Sequence, residues 1–193
     1  MAARAHSSDP RAERVRARLR AAAFALAHER PVDQLTVGDI VARAEVSRQV
    51  FYQHFTDRDD AVAGAVTAAF AAATSTADGD ARDRIQELFE FAAEHRSVYR
   101  NIVPSAVTQR AVAAFRAELG PLCDEMTAAA MPTVAEIAPV TPEAVTRFLV
   151  GGFTEVLWSW MEDPDSSDLS GRVRAALDTV NALLAPSKGQ PHG

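Results

Sequence analysis

Residues Thr36–Phe55 read TVGDIVARAEVSRQVFYQHF. Thr36 is a good helix N-cap, and Asp39 stands three residues later in a capping-box-like position. A helix is predicted from there to Ala44, burying Val37, Ile40 and Val41. Glu45-Val46 makes the turn, and Ser47 caps a second helix running to about Phe55. Phe51 and Phe55 lie four apart and share the face that packs on the rest of the domain. Arg48 with Tyr52, Gln49 with Gln53, and Val50 with His54 are also i, i+4 pairs and cover the remaining surface. Two short helices, a short link and a capped second helix give helix-turn-helix spacing.

The exposed face of the second helix is chemically unusual. It carries a guanidinium, two amides, a phenol and an imidazole within two turns. No carboxylate occurs from Ser47 to Thr56 in a chain with 26 acidic and 20 basic residues. Arg48 is suited to a guanine edge and Gln49 or Gln53 to an adenine edge, while Val50 fits a thymine methyl. Tyr52 and His54 are phosphate donors, as are Thr36, Ser47 and the backbone N–H groups at the two helix starts. Arg58, at the start of the next helix, is a further phosphate candidate. The plainer reading of the same pattern is an amphipathic helix with a solvated polar face. The missing carboxylates and the capped link favour DNA.

Charge distribution is consistent with this. The chain of 193 residues has a formal net charge of −6, which taken globally argues against nucleic acid. Residues 1–60 hold ten Lys+Arg and nine Asp+Glu, net +1, whereas residues 61–193 hold ten and seventeen, net −7. Residues 1–20 hold six arginines against Asp9 and Glu13, net +4. Positive density thus sits just before the helix pair, and an acidic remainder facing away is compatible with local phosphate binding.

The rest reads as helical scaffold. Hydrophobic residues make up 48% of the chain, rich in Ala and Leu and without long Val/Ile/Thr alternation, so an all-α fold is predicted. The first helix spans about Arg11–Glu29, with Val15, Leu19, Ala22, Ala23 and Leu26 as its core stripe. Pro31 ends it, and Val32 and Leu35 flank a polar turn. A fourth helix opens at Thr56-Asp57, and Ser75–Asp80 is the candidate domain boundary. Later helices are predicted at about Arg82–His95, Val98–Val103 before Pro104, and Ala106–Ala129 with a bend at Gly120-Pro121. Met131–Val140 reads as a loop. Thr141-Pro142-Glu143 starts a helix that ends at Asp163-Pro164-Asp165, and a last helix covers about Leu169–Leu184. Residues 1–9 and 186–193 read as loose tails.

Several chemistries find no support. The single Cys123 excludes an internal disulfide and a cysteine metal cluster. His6, His28, His54, His95 and His192 are scattered without metal spacing. There is no nucleophile motif, Gly-rich phosphate loop or cluster of carboxylates, so neither a metal nor another cofactor is implied and an enzyme is not predicted. The opening segment lacks the apolar run of a signal peptide, and no membrane span is present. A cytoplasmic protein is the simple reading.

At Thr36-Val37, Asp39-Ile40-Val41, Ala44-Glu45-Val46-Ser47, Phe51-Tyr52-Gln53-His54-Phe55 and Arg58 the chain resembles the TetR-type transcriptional regulators. The resemblance covers about Arg11–Phe70; later helices fit by length and order. There are departures. The usual turn Gly is Glu45, at a modest cost if that position needs a positive φ. The common Gly-Thr pair on the second helix is Gln49-Val50, so no operator sequence is carried over. Arg58 replaces a frequent Lys, and Pro31 a frequent Gly.

The resemblance implies a DNA-binding domain over residues 11–74 and a ligand-binding and dimerisation domain over residues 80–185. Phe148, Leu149, Gly152, Phe153, Val156, Leu157 and Trp160 make an apolar band too broad for a helix facing one neighbour, and Val173, Ala176, Leu177, Val180 and Leu184 add to it from the last helix. These two helices suit a homodimer interface, although core helices of a monomer would look alike. Phe89, Tyr99, Phe115, Met126, Phe148 and Trp158 are candidate pocket residues, with Phe91 and Cys123 nearby in sequence. The few charges on the Phe148–Met161 segment favour an apolar or aromatic effector. Together these imply a repressor that binds a palindromic operator as a dimer and is released by a small molecule. The alternative is a helical protein-interaction adaptor without sequence-specific DNA binding.

Overall fold

The computed structural model describes residues 9–76, 79–103, 105–137, 139–163 and 168–184. Among them are nine α-helices, one 3₁₀ turn and no strand, as the composition predicts. The helices are α1 (Pro10–Glu29), α2 (Val37–Ala44), α3 (Arg48–Phe51), α4 (Arg58–Thr76), α5 (Ala81–Glu94), α6 (Arg96–Ile102), α7 (Val107–Ile137), α8 (Pro142–Glu162) and α9 (Leu169–Leu184). The predicted ends at residues 1–8, 104, 164, 165 and 185–193 lie outside the described residues.

The chain forms two compact units. The first comprises its first 69 residues with residues 97–111, and the second comprises residues 70–96 with 112–193. Segment 97–111 joins the first unit through specific ties. The Asn101 amide donates to the Ala27 carbonyl at 2.8 Å, Arg110 pairs with Asp60 at 2.8 Å, and His28 and Ser97 share a hydrogen bond at 2.8 Å.

In the first unit α1 buries Leu19, Ala22, Ala23, Leu26 and Ala27. Asp9 caps it, accepting the Arg11 N–H, and Pro10 opens it where no donor is needed. The link after Pro31 is the 3₁₀ turn Val32–Gln34, pinned by fully buried Val32 and nearly buried Leu35. α4 comes close to Phe55. A Cβ on Gly64 would stand 3.2 Å from the Phe55 ring, so the missing side chain is what admits the ring.

In the second unit Phe89, Phe115 and Phe153 form the centre. The Phe89 ring lies 5.3 Å from Phe115 and 6.2 Å from Phe153, in edge-on geometry. Thr141 caps α8, with Pro142 at its first position.

Two predicted boundaries are corrected. The stretch Met131–Val140 is not a loop from its start: α7 runs on to Ile137, through both Pro121 and Pro132. Each proline forfeits one backbone hydrogen bond, yet Val134 beyond Pro132 is buried, and burying an apolar side chain offsets the lost bond. α3 does not reach Phe55 as a regular helix. It ends at Phe51, and the chain continues as turns whose His54 and Phe55 N–H groups both donate to the Phe51 carbonyl.

Glu45 ends α2 in the left-handed region, with φ 51° and ψ 47°. A residue with a Cβ is strained there by about 1 kcal/mol or more. Its exposed ion pair with Arg18, 3.5 Å long, offsets only a few tenths of a kcal/mol. Glu45→Gly should therefore raise stability by roughly 0.5–1 kcal/mol. Urea unfolding measures this; an unchanged or lower midpoint would show that the turn is not strained.

Candidate nucleic-acid interface

The interface is built from the start of α2 and the single turn of α3. The Thr36 hydroxyl accepts the Asp39 N–H at 3.1 Å, and the Asp39 carboxylate accepts the Thr36 N–H at 2.9 Å and its hydroxyl at 2.7 Å. This is a complete capping box. Arg30 adds an ion pair to Asp39 at 3.0 Å. The Asp39 carboxyl is accordingly held below its ordinary range, first by the Thr36 hydroxyl and then by the Thr36 backbone and Arg30. Ser47 caps α3 by accepting the Val50 N–H at 3.2 Å.

Phe51 and Phe55 are buried, with ring centroids 5.8 Å apart. Arg48, Gln49, Tyr52 and Gln53 are exposed, whereas Val50 and His54 are half-buried. Tyr52 is 58% exposed, its ring held edge-on to Phe51 at 5.3 Å. The structure thus brings Ser47, Arg48, Gln49, Val50, Tyr52, Gln53 and His54 together on one short segment. Arg48 does not stand free of it. Its Nη2 lies 3.1 Å from where a Cβ on Gly38 would be, and the Thr36 hydroxyl lies 3.3 Å from that point. The guanidinium therefore rests on the start of α2 and must swing outward to reach a base edge.

Residues 19–63 match the family model described as bacterial regulatory proteins, tetR family. Over these residues the chain is similar to the TetR family. Solved structures agree on the fold over nearly the whole chain. A TetR transcriptional regulator from Streptococcus agalactiae is 16% identical with a TM-score of 0.62, covering 88% of this chain and 95% of its own. The dihydroxyacetone kinase operon activator DhaS is 14% identical with a TM-score of 0.66, covering 88% and 96%. The fatty acid degradation regulator FadR from Bacillus halodurans is 15% identical with a TM-score of 0.59, covering 87% and 96%. No curated protein matches the chain significantly.

Several arginines of the first unit are occupied internally, which spacing alone did not reveal. Arg58 donates to the Asp33 and Leu35 carbonyls, both at 3.1 Å, and pairs with Asp59 at 2.7 Å. It braces the 3₁₀ link to α4. Arg18 donates to the Ala44 carbonyl at 2.6 Å and so closes the end of α2. Arg43 grips Glu29 with two bonds of 2.5 and 3.1 Å, and Arg16 lies over the Phe55 ring at 5.7 Å. One sequence does not give inter-helix register, so the partners of Arg18 and Arg43 emerge only in the structure.

The six pocket candidates are dispersed. Phe89 and Phe115 are core, and Tyr99 is buried in the first unit's segment 97–111. Trp158 is half-buried and donates from its indole to Glu162 at 2.8 Å. Met126 lines a groove of about 600 Å³ with Asp80, Arg82, Ala129, Val180 and Asn181. Phe148 is 70% exposed and lines a separate groove of about 200 Å³ between α8 and α9. The Cys123 thiol is pushed up to about 12 by burial and by Asp124, so it is a poor nucleophile. No helix among the described residues is long and apolar enough to cross a membrane, and no cluster of metal-binding side chains occurs among them.

Because the folded Asp39 carboxyl titrates below the ordinary 3.8, its contribution is fully present above that pH and is lost as pH falls through the lower folded value. Asp39→Asn should destabilise the domain at neutral pH. The gap to the parent protein should close on acidification below about 3.8. Urea melts at a series of pH values measure the gap; one that stays constant with pH would remove Asp39 as its source.

Proposed function

We propose that the protein is a ligand-responsive transcriptional repressor that binds a palindromic DNA operator as a homodimer and is released by a small apolar or aromatic effector. The observation that carries DNA reading is α3. Exposed Arg48 and Gln49 on this capped helix, with Tyr52 and Gln53 in the turn that follows it, form a carboxylate-free donor face held by buried Phe51 and Phe55. In this reading residues 11–74 form the DNA-binding domain and residues 80–185 the effector and dimer domain. Arg48, Gln49, Val50 and Gln53 face bases. Ser47, Tyr52 and His54 take phosphates, Thr36 spends both its hydroxyl and its N–H on Asp39 and so acts by fixing the start of α2, and Arg58 acts by bracing the start of α4.

Dimerisation is supported by the α8–α9 face. Phe148 and Leu183 are 70% and 65% exposed there, and Gly151 and Gly152 have open space where a Cβ would be. Two large apolar side chains beside two glycines suit close helix approach from a second copy, and a two-fold dimer of reading heads implies a palindromic site. The groove beside Met126 offers an apolar floor of Ala129 and Val180 with a polar rim, fit for a small molecule with one polar end. One protein of similar fold is an operon activator, so the sign of regulation is set by a promoter–reporter assay. A cytoplasmic location accords with this role.

Binding of a randomised duplex library at physiological salt tests the function. A selected palindrome should outcompete bulk DNA by 10³-fold or more; if none does, the adaptor reading replaces this one. Arg48→Ala or Gln49→Ala should cost roughly 1–3 kcal/mol and relax preference at one base pair. Equal weakening on every sequence would show that the altered residue does not read a base. Light scattering should find a dimer at micromolar concentration and a monomer for Phe148→Glu; a monomeric parent protein would refute the dimer.

A further inference from the structure

The start of α1 has no role in the fold that burial can explain. Residues 10–18 form two and a half turns in which none is buried and only Val15 is half-buried; the core stripe begins at Leu19. This overhang also precedes the segment that matches the family model, residues 19–63. It is strongly basic: residues 9–18 carry Arg11, Arg14, Arg16 and Arg18 against Asp9 and Glu13, net +2.

We infer that this overhang is a second DNA-contacting surface, in which Arg11 and Arg14 grip backbone phosphates flanking the bases read by α3. The inference rests on the DNA-binding reading proposed above. The four arginines divide by what they touch. Arg16 is committed to Phe55, and Arg18 to the Ala44 carbonyl and Glu45. Arg11 and Arg14 are exposed and form no ion pair among the described residues; Arg14 uses only Nε, donating to the Pro10 carbonyl at 3.2 Å. The carboxylates nearby are engaged. Asp9 accepts the Arg11 N–H, Glu13 pairs with Arg20 at 3.6 Å, and Glu45 pairs with Arg18.

Position on the helix then decides the partner. Arg11, Arg14 and Arg18 stand at i, i+3 and i+7, on one face. Arg18 fixes that face at the α2–α3 turn, so the row begins beside the proposed reading head. Arg14 and Arg11 lie about 6 and 10 Å further along the axis. A duplex presents a charge about every 1.7 Å of its own axis, so a guanidinium displaced outward by this much still meets phosphate. The overhang offers no apolar anchor for a protein partner, and its charge is complementary to a polyanion continuous with the proposed interface.

The test compares the full-length protein with Arg11→Gln/Arg14→Gln and with Arg100→Gln/Arg116→Gln, which removes the same charge from exposed sites elsewhere. Each is titrated with salt on a long mixed-sequence duplex, and on a selected duplex with and without its flanks. The overhang variant should show a log K against log salt slope shallower by roughly 1.8 per bound chain. It should also lose most of the advantage that flanks give the parent protein, while the control variant keeps both. Parallel salt lines for parent and overhang variant, or the same slope loss in the control, would overturn the inference. Failure of the operator reading shows differently, as the absence of any selected sequence, and the mixed-sequence titration still judges the overhang.

Discussion

A helix of one turn cannot hold its own shape. α3 spans four residues, well short of the length at which an isolated helix gains from propagation. Its geometry is imposed from outside, by Ser47 at its start and by buried Phe51 and Phe55 at its end. Several features of the first unit serve those three points. The Thr36–Asp39 box fixes α2, Glu45 turns the chain at a strained φ, and Gly64 makes room for Phe55. The exposed side chains are therefore presented by a surface that cannot adjust without unpacking two phenylalanines. The proposed role in reading DNA needs this, because base discrimination depends on donor positions being fixed before contact.

Arginine does two different jobs in this unit. Arg18, Arg30, Arg43 and Arg58 tie loops and helix ends, each to a carbonyl or carboxylate. A planar guanidinium with several donors suits this bracing, since one side chain satisfies groups on two elements. Bracing consumes charge, so a count of basic residues overstates what is available to an anion. Near the helix pair, Arg11, Arg14 and Arg48 are exposed and show no carboxylate or carbonyl grip at their terminal nitrogens among the described residues. The net charge of −6 then ceases to be an objection, because the acidic excess lies after residue 60, away in sequence from these three arginines.

Local chemistry made much of this legible. Caps at Thr36, Ser47 and Thr141 were readable because each is a side chain bonding its own neighbours three residues on. The i, i+4 pairing of Phe51 and Phe55 was readable for the same reason. What escaped was decided at a distance. Pro132 looked like a helix end, but burial of Val134 carries α7 past it. Arg58 looked free for phosphate, yet its partners are 23 and 25 residues away in the chain. The aromatic candidates Phe89 and Phe115 pack on each other in the core, which only the fold reveals, since a core and a cavity wall share one composition.

In the function proposed above, the division between the units bears on how an effector releases DNA. The chain passes from one unit to the other after residues 69, 96 and 111. These passages fall within α4, α6 and α7, so none is a flexible linker. A hinge in a loop would let the second unit rearrange without disturbing the first. In the function proposed above, an effector on the second unit acts through helices that both units share. Such coupling needs no contact pathway of side chains. It needs only an effector that binds one arrangement of those helices better than the other, and the difference in affinity sets how far the DNA-binding equilibrium moves.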